Sequence, residues 1–202
     1  MKSNSSHLCR EVRDHLLKSA EIQHQVAEKC VDSILEVADL IADTFRSGGK
    51  VLLCGNGGSA ADCQHMAAEF VGRLTKDFDR PGLPAIALTT DTSILTAFAN
   101  DCGYEGVFER QVRALGKAGD VLVGISTSGN SVNVLRATEA AREIGMKTVG
   151  LLGAGGPLKD RVDYPIAIPS RETQHVQEVL LSVEHILCHL VEQNLFTAGK
   201  QR

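Results

Sequence analysis

Hydroxyl side chains are concentrated in the segment Ser126–Ser131, which reads STSGNS and follows the apolar run Val121–Ile125. Such a run is typical of a buried parallel strand, and the apolar spacing after Ser131 is typical of a helix. Backbone N–H groups at the start of a helix lack intrahelical partners, and the helix dipole favours an anion there. Gly129 allows the backbone to approach a ligand closely. The segment therefore predicts a binding site for a phosphate monoester.

Helix capping by Ser131 or Asn130 is an alternative interpretation, because both residue types are common caps. Capping accounts for one hydroxyl well and for four poorly, so we favour phosphate. The segment lacks the lysine of a nucleotide-binding P-loop. The chain also has no G-x-S-x-G motif of a serine hydrolase and no residue set resembling a kinase. Proton transfer next to a carbonyl remains as the chemistry that these residues could support.

His65 and Glu69 are four residues apart in a segment with helical spacing, so both side chains lie on one face. An imidazole and a carboxylate at one point suit Zn²⁺ binding or acid–base chemistry. An ordinary surface hydrogen bond between the two side chains is equally compatible with this helix taken alone.

Gln177 and His185 are polar residues in an otherwise apolar closing helix. A single histidine beside an apolar stripe is more often a core residue than a catalyst. Eight residues of helix span roughly 12 Å, so these side chains meet only by leaning inward or by coming from different subunits. The residues alone leave their role open.

Two more polar turns follow predicted strands. The turn Asn56-Gly57-Gly58-Ser59 is rich in glycine, but its spacing is not that of a dinucleotide fingerprint. No acidic residue ends a following strand at the usual distance, so NAD is not expected. The turn Thr89–Ser93 predicts a capped entry into the helix Ile94–Ala99. Asn100-Asp101 are expected to end that helix, and Gly103 follows as a helix-stop signal.

Strands alternating with helices predict an α/β fold, a three-layer αβα sandwich around a five-stranded parallel sheet. The polar turns would then meet in one crevice at the carboxyl edge of the sheet. A single domain over residues 1–202 is expected, with N-terminal helices in 1–48, an αβα core in 49–202 and a closing C-terminal helix at Glu172–Phe196. The predicted strands are Lys50–Cys54, Ala85–Leu88, Val121–Ile125, Lys147–Leu152 and Tyr164–Ile168.

Composition narrows the class of protein. The 202 residues are 43% hydrophobic and 23% charged, as in ordinary globular proteins, and the net charge of −4 argues against nucleic acid as a partner. No apolar run reaches membrane-spanning length, and Met1–His7 has no signal-peptide core. The six cysteines are scattered, which indicates reduced thiols. A cytoplasmic protein without a membrane partner is expected.

Several of these segments together resemble the sugar isomerase (SIS) domain family. The strand–ISTSGNS–helix unit is similar to the signature of that family. The segments CGNGGSAADCQHMAAEFVGR and Asn100-Asp101, together with the V-Q-E…H closing helix, resemble its phosphoheptose isomerase branch. The resemblance covers nearly the whole chain in order, and it implies a flavodoxin-like SIS fold.

The resemblance also implies roles for residues. Glu69 and His185 would be the acid–base pair, and one Zn²⁺ per subunit would be bound by His65, Glu69, Gln177 and His185. Ser59 and Arg73 would lie near the substrate. The substrate itself would contact Asn56, Gly57, Gly58, Ser59, Glu69, Asn100, Asp101, Ser126, Thr127, Ser128, Ser131 and Gln177.

The implied reaction converts sedoheptulose 7-phosphate to D-glycero-D-manno-heptose 7-phosphate through an enediol, for bacterial heptose and lipopolysaccharide precursors. The partner would be a small sugar phosphate, and the assembly a homotetramer with active sites at subunit interfaces. Such an assembly would suit the long N-terminal arm. The chain departs from the family pattern at His175, where arginine is usual, and the segment 153–163 is shorter than in many relatives.

Three rival functions remain. The first is a non-catalytic SIS tetramer acting as a protein-binding platform, like the replication initiator-associating protein. That protein lacks the glutamate and histidine found here at Glu69 and His185. The second, a phosphosugar sensor, would need a helix-turn-helix module that is absent from this chain. The third, an isomerase of a shorter sugar phosphate, is less well excluded.

Overall fold

The structure, a computed structural model, describes residues 2–76 and 79–197, so the predicted domain limits at residues 1 and 202 lie outside the described residues. Five parallel strands form one sheet in the order β2-β1-β3-β4-β5. This order confirms the predicted parallel α/β sheet. The strands are β1 (Val51–Gly55), β2 (Ala85–Ala87), β3 (Val121–Ser126), β4 (Lys147–Leu152) and β5 (Tyr164–Ala167).

Helices cover both faces of the sheet, because side chains of successive strand residues point to opposite faces. Leu53 belongs to one apolar core and its neighbour Leu52 to the other. The first core includes residues of α1, α2, α3 and α7, and the second includes residues of α5 and α6. The helices are α1 (Lys2–Lys29), α2 (Val31–Arg46), α3 (Gly58–Val71), α4 (Thr92–Cys102), α5 (Val107–Leu115), α6 (Val132–Ile144) and α7 (Thr173–Phe196), with short 3₁₀ turns at Tyr104–Gly106 and Pro157–Asp160.

The N-terminal arm consists of two helices that break at Cys30. Helix α2 buries one face, including Ile34 and Ile41, against the domain. Helix α1 is covered only in its second half, where Ile22 and Val26 are buried. The part of the helix before Lys18 exposes the apolar side chains of Leu8, Val12, Leu16 and Leu17. Cover from the rest of the same chain therefore reaches only part of the predicted arm.

The carboxyl ends of β1, β3 and β4 lead into turns that begin helices or close the crevice. Helix α4 begins as predicted, since Asp91 accepts a hydrogen bond from the Ile94 N–H at 3.0 Å. Its predicted end at Asn100-Asp101 is wrong: the helix continues through both residues to Cys102 and ends at Gly103, where φ is +91°. No helix within the described ranges is both long and apolar enough to span a bilayer.

Candidate active site

The hydroxyl segment lies between β3 and α6, as the sequence predicts. Ser131 is the residue preceding α6, yet its side chain makes no capping hydrogen bond. Its Oγ instead lies 2.9 Å from Oγ of Ser126. Asn130 also bonds within the turn, because its Nδ2 donates to the Ser128 carbonyl at 3.0 Å. Side-chain capping therefore does not explain these residues, and the hydroxyls remain grouped at the carboxyl end of the central strand.

Gly129 brings this turn against the turn that follows β4. Its φ is +68°, and a Cβ there would lie 2.3 Å from the Gly155 carbonyl oxygen. Only glycine tolerates both the conformation and the contact. The Gly129 carbonyl also accepts a hydrogen bond from the Leu158 N–H at 3.1 Å. The two turns consequently form one wall of the crevice.

A cavity of about 260 Å³ opens beside this wall. It is lined by Thr127, Ser128, Asn130, Gly155, Gly156 and Arg171. Hydroxyl groups together with a guanidinium suit a phosphate, because arginine donates to phosphate oxygens with strong charge-assisted hydrogen bonds. Sequence reasoning missed Arg171, although its place just after β5 puts it at the same edge of the sheet.

The turn Asn56–Ser59 is tied to the central helix. Asn56 and Asn133 exchange two amide hydrogen bonds, with Nδ2 to Oδ1 distances of 2.9 and 2.8 Å. Asn133 is buried and was not singled out from the sequence. Gly57 has a φ of +57°, and Ser59 is buried at the start of α3. The side chain of Asn56 thus has a structural partner inside the protein.

His65, Glu69 and His185 come together where α3 and α7 lie side by side. Nε2 of His65 is 2.8 Å from Nε2 of His185 and 3.7 Å from Oε1 of Glu69. The side chain of Glu69 is 18% exposed, and its Oε2 is buried without a hydrogen-bond partner among the described residues. A hydrogen-bonded pair on the surface would not have a buried oxygen without a partner, so that alternative does not describe His65 and Glu69. His185 is exposed, so it is not a core histidine. These groups form an acid–base cluster.

Gln177 is held apart from that cluster. Its Nε2 donates to Oδ1 of Asp62 at 3.2 Å, and a Cβ added at Gly58 would lie 2.4 Å from the Gln177 amide nitrogen. Gln177 therefore packs over the first turn of α3, while His185 meets His65 two turns further on. Gln177 lies beside the start of α3 and His185 lies beside His65, further along α3. The polar side chains therefore line a groove between α3 and α7 and do not meet at a single point.

Unsatisfied carboxylates mark this groove. Within the described part of the chain, the buried side-chain oxygens without a hydrogen-bond partner belong to Asp62, Glu69 and Glu184, all on α3 or α7. Burial and the charge of Asp62 raise the pKa of Glu184 to about 8. Burial also raises the pKa of Asp62, against the hydrogen bond from Gln177 and the charge of His65. Glu184 interrupts the apolar stripe of α7, and such an interruption is the sequence signal that indicates a buried carboxylate here.

Asn100 and Asp101 do not join the groove within this chain. Both are exposed in the last turn of α4, where Nδ2 of Asn100 donates to Asp101 at 2.7 Å. Asp101 lines another cavity, of about 400 Å³, together with Phe98 and Arg110. Helix α4 has no buried residue. A substrate contact by these two residues requires a second subunit or movement of α4.

One trio of His, Cys, Asp or Glu residues in the described part of the chain brings three possible metal-binding atoms within 4.8 Å of one another: His15, His175 and Glu178. It lies between α1 and the first turns of α7. The family resemblance implies a metal at His65, Glu69, Gln177 and His185 instead. The structure thus has a His/Glu cluster where no ligand set was predicted.

A family model, the sequences of known proteins and solved structures all show similarity of this chain to one group of proteins. A family model described as "SIS domain" matches residues 15–153. A phosphoheptose isomerase of Roseiflexus sp. is 53% identical over 197 residues, which cover 97% of this chain and 99% of that protein. The structure of a phosphoheptose isomerase from Neisseria gonorrhoeae superposes with a TM-score of 0.87 at 42% identity, covering 92% of this chain and 99% of that one. One from Francisella tularensis gives a TM-score of 0.88 at 34% identity, with 92% and 98% covered.

Proposed function

The chain belongs to the phosphoheptose isomerase family of SIS-domain sugar-phosphate isomerases, and on that premise we propose that it interconverts sedoheptulose 7-phosphate and D-glycero-D-manno-heptose 7-phosphate. The observation that carries the proposal is the Glu69 carboxylate, which has a buried oxygen without a partner among the described residues and lies beside the His65 imidazole, itself in contact with His185. An aldose–ketose isomerase needs such a group to move a proton between neighbouring carbons. The same crevice carries the hydroxyl turn for the phosphate.

The phosphate would bind at the end of β3. Ser126, Thr127, Ser128 and Ser131 offer hydroxyl donors, and Arg171 lines a cavity together with Thr127 and Ser128 and brings a positive charge to it. The sugar hydroxyls would contact the turn Asn56-Gly57-Gly58-Ser59 and Gln177. Asn100 and Asp101, which lie outside the groove of their own chain, would reach the substrate from a neighbouring subunit.

Glu69 would transfer the proton between C1 and C2 of the open-chain sugar through an enediol. Its carboxylate takes the proton from one carbon and returns it to the next, so it ends the cycle as it began. His185, on the facing helix, would exchange protons with the sugar oxygens and assist ring opening. Together they form a general acid–base pair whose members come from α3 and α7.

The residues present fit a divalent metal. Nε2 of His65 lies 2.8 Å from Nε2 of His185 and 3.7 Å from Oε1 of Glu69, whose Oε2 is buried without a partner among the described residues, and nitrogen and oxygen donors are those that Zn²⁺ prefers. His65, Glu69 and His185 would hold one Zn²⁺ per subunit, and Gln177, which lies apart from them beside Asp62, would have to turn toward them to become the fourth ligand. When bound, the ion would supply a Lewis acid that polarises the carbonyl. Because Gln177 uses its amide nitrogen to donate to Asp62, its amide oxygen would be available as a metal ligand.

A homotetramer with active sites at subunit interfaces would complete the site. The exposed apolar side chains on the part of α1 before Lys18 and the uncovered helix α4 are surfaces that further subunits could bury. All six cysteines are free thiols, as in proteins of reducing compartments. We therefore place the reaction in the cytoplasm, where its product would enter bacterial heptose and lipopolysaccharide precursor synthesis.

Substrate turnover tests the proposal. Purified protein would be given sedoheptulose 7-phosphate, fructose 6-phosphate, ribulose 5-phosphate and unphosphorylated sedoheptulose, and the aldose product would be measured for each. We expect kcat/KM to be highest for the heptulose phosphate. A preference for a shorter sugar phosphate would replace the proposed substrate. No turnover by folded protein that binds the sugar phosphate would favour the non-catalytic binding platform.

A further inference from the structure

The trio formed by His15, His175 and Glu178 lies at the junction of α1 and α7. Nε2 of His15 is 2.7 Å from Oε1 of Glu178, and Nδ1 of His175 is 3.2 Å from its Oε2. The two imidazole rings have centroids 4.3 Å apart and planes tilted by 43°. One carboxylate is thus flanked by two imidazoles, each directed at a different oxygen.

Part of this trio is removed from water. His175 is only 3% exposed, whereas His15 and Glu178 are partly open, with side chains 41% and 39% exposed. The second ring nitrogen of His175, Nε2, faces the carboxylate of Glu172 at 3.9 Å. Metal-binding histidines commonly direct their other ring nitrogen at a carboxylate, which fixes the ring orientation. A rotamer change of exposed Glu172 could complete that arrangement here.

The spacing of the donor atoms suits a tetrahedral ion. Bonds of about 2.0–2.1 Å to Zn²⁺ place neighbouring ligand atoms roughly 3.3 Å apart. The two histidine nitrogens lie 2.7 and 3.2 Å from different oxygens of Glu178, about 0.6 and 0.1 Å below that separation, and one donor atom from each of the three residues lies within 4.8 Å of the others. Two neutral imidazoles and one carboxylate carry a net negative charge, which favours a cation. The open side of the trio leaves a fourth position for water.

We propose that His15, His175 and Glu178 form a second divalent-metal site, selective for a zinc-like transition metal and separate from the groove between α3 and α7. The ion would clamp the N-terminal arm to the closing helix, joining residues that are 163 positions apart in the sequence. Neither His15 nor the clamp takes part in the chemistry proposed for Glu69. The site stands on its own donor atoms and does not depend on the proposed substrate.

Metal stoichiometry tests this site. Protein stripped with a chelator would be titrated with Co²⁺ by calorimetry and d–d absorption, and bound Zn²⁺ would be counted by mass spectrometry. Two ions per subunit are expected for the wild type and one for His15→Ala. His24→Ala is the matched control, because His24 lies exposed on the same helix with a single carboxylate, Glu28, at 3.5 Å. It should keep both ions.

The reciprocal variant isolates the new site. His65→Ala with His185→Ala should still bind one ion per subunit, raise its melting temperature when Zn²⁺ is added, and lose both properties when His15→Ala is added. This variant keeps the trio intact, so it gives an answer even if His15→Ala fails to fold. A single wild-type ion that survives His15→Ala and disappears from the reciprocal variant would overturn the second site. A single wild-type ion that is lost in His15→Ala and kept in the reciprocal variant would support the new site. It would also show that no metal binds at the proposed active site.

Discussion

Glu178 and Glu184 lie within two turns of each other on α7 and have opposite environments. Burial alone would raise the pKa of Glu178, but hydrogen bonds from His15, Ser19 and His175 outweigh it and lower that pKa to about 2. Glu184 has no hydrogen-bond partner for either oxygen among the described residues, and its pKa is raised to about 8. The carboxylate of Glu178 is therefore hydrogen-bonded, whereas that of Glu184 is buried without a hydrogen bond.

The difference shows where this protein concentrates its unsatisfied groups. Folded proteins leave few buried polar atoms unpaired, and those that remain are often at functional sites. Here they gather on α3 and α7 around His65, Glu69 and His185, whereas none of the buried unpaired side-chain atoms of the described residues lies at the junction of α1 and α7. We therefore expect changes on the α3 side to alter activity or to relieve instability, and changes on the α1 side to weaken the fold.

His185→Gln should have the largest effect. The glutamine cannot exchange protons at neutral pH, so turnover should fall by about 10²–10⁴-fold while the melting temperature changes little. Steady-state kinetics on sedoheptulose 7-phosphate would measure the loss. His189→Gln is the matched control, since His189 is exposed one turn further along α7. Equal losses in both variants would attribute the effect to the helix and not to the cluster.

Glu184→Gln should stabilise the metal-free protein. Because the folded pKa is raised from 4.5 to about 8, the folded state holds a proton that the unfolded state releases, and wild-type stability falls as the pH rises through that window. The amide carries no charge at any of these pH values. Its advantage should grow from near zero at pH 4 to on the order of 3 kcal/mol at pH 8. Denaturant unfolding across that range would measure it, and a pH-independent difference would contradict the unsatisfied environment of Glu184.

Arg171→Ala should weaken substrate binding at the other wall of the crevice. A hydrogen bond to a charged group contributes about 1.5–3 kcal/mol, which corresponds to roughly a tenfold to hundredfold rise in KM. The turnover number should change less, because the phosphate is remote from the reacting carbons and is held alike in ground and transition states. Arg161→Ala provides the control, since Arg161 pairs with Glu139 on the surface. An unchanged KM would remove Arg171 from the phosphate site.

Glu178→Gln should give the smallest effect and the opposite sign to Glu184→Gln. The loss should be about 1 kcal/mol at pH 7, since partial exposure screens the hydrogen-bonded pairs. A lowered folded pKa stabilises the protein above the unfolded value of 4.5, and that contribution disappears as the pH falls toward 2. The two variants should therefore converge in acid. Melting curves of metal-free protein would show this, and a gain in stability at pH 7 would abolish the contrast between the two carboxylates.

Local patterns were enough to predict the sheet and its turns. Apolar runs bounded by glycine and hydroxyl residues identified all five strands of the described sheet to within one residue at each end. The grouping of the turns at one edge followed from parallel topology. The end of α4 was predicted at Asn100-Asp101, but the helix continues through both residues, and Gly103, the glycine of the same predicted stop signal, ends it at a φ of +91°.

Contacts between distant helices could not be predicted in the same way. The pairing of His65 with His185, and of Gln177 with Asp62, depends on how α3 and α7 align on the sheet. Nothing local to either helix specifies that alignment. The trio at His15 was missed for the same reason, because its members belong to opposite ends of the chain. Helical spacing predicts which side chains share one face of a helix, but it does not predict which other helix packs against that face.

Turnover of sedoheptulose 7-phosphate by Glu69→Gln, beside wild type and the exposed-site variant Glu36→Gln, tests the central claim most directly. Each protein would be assayed after chelation and after return of Zn²⁺, with circular dichroism as a check on folding. The account predicts that, after return of Zn²⁺, wild type and Glu36→Gln turn over the substrate and that folded Glu69→Gln is slower by about 10²–10⁴-fold. Near-normal turnover by Glu69→Gln would contradict the assignment of Glu69 as the proton-transferring group.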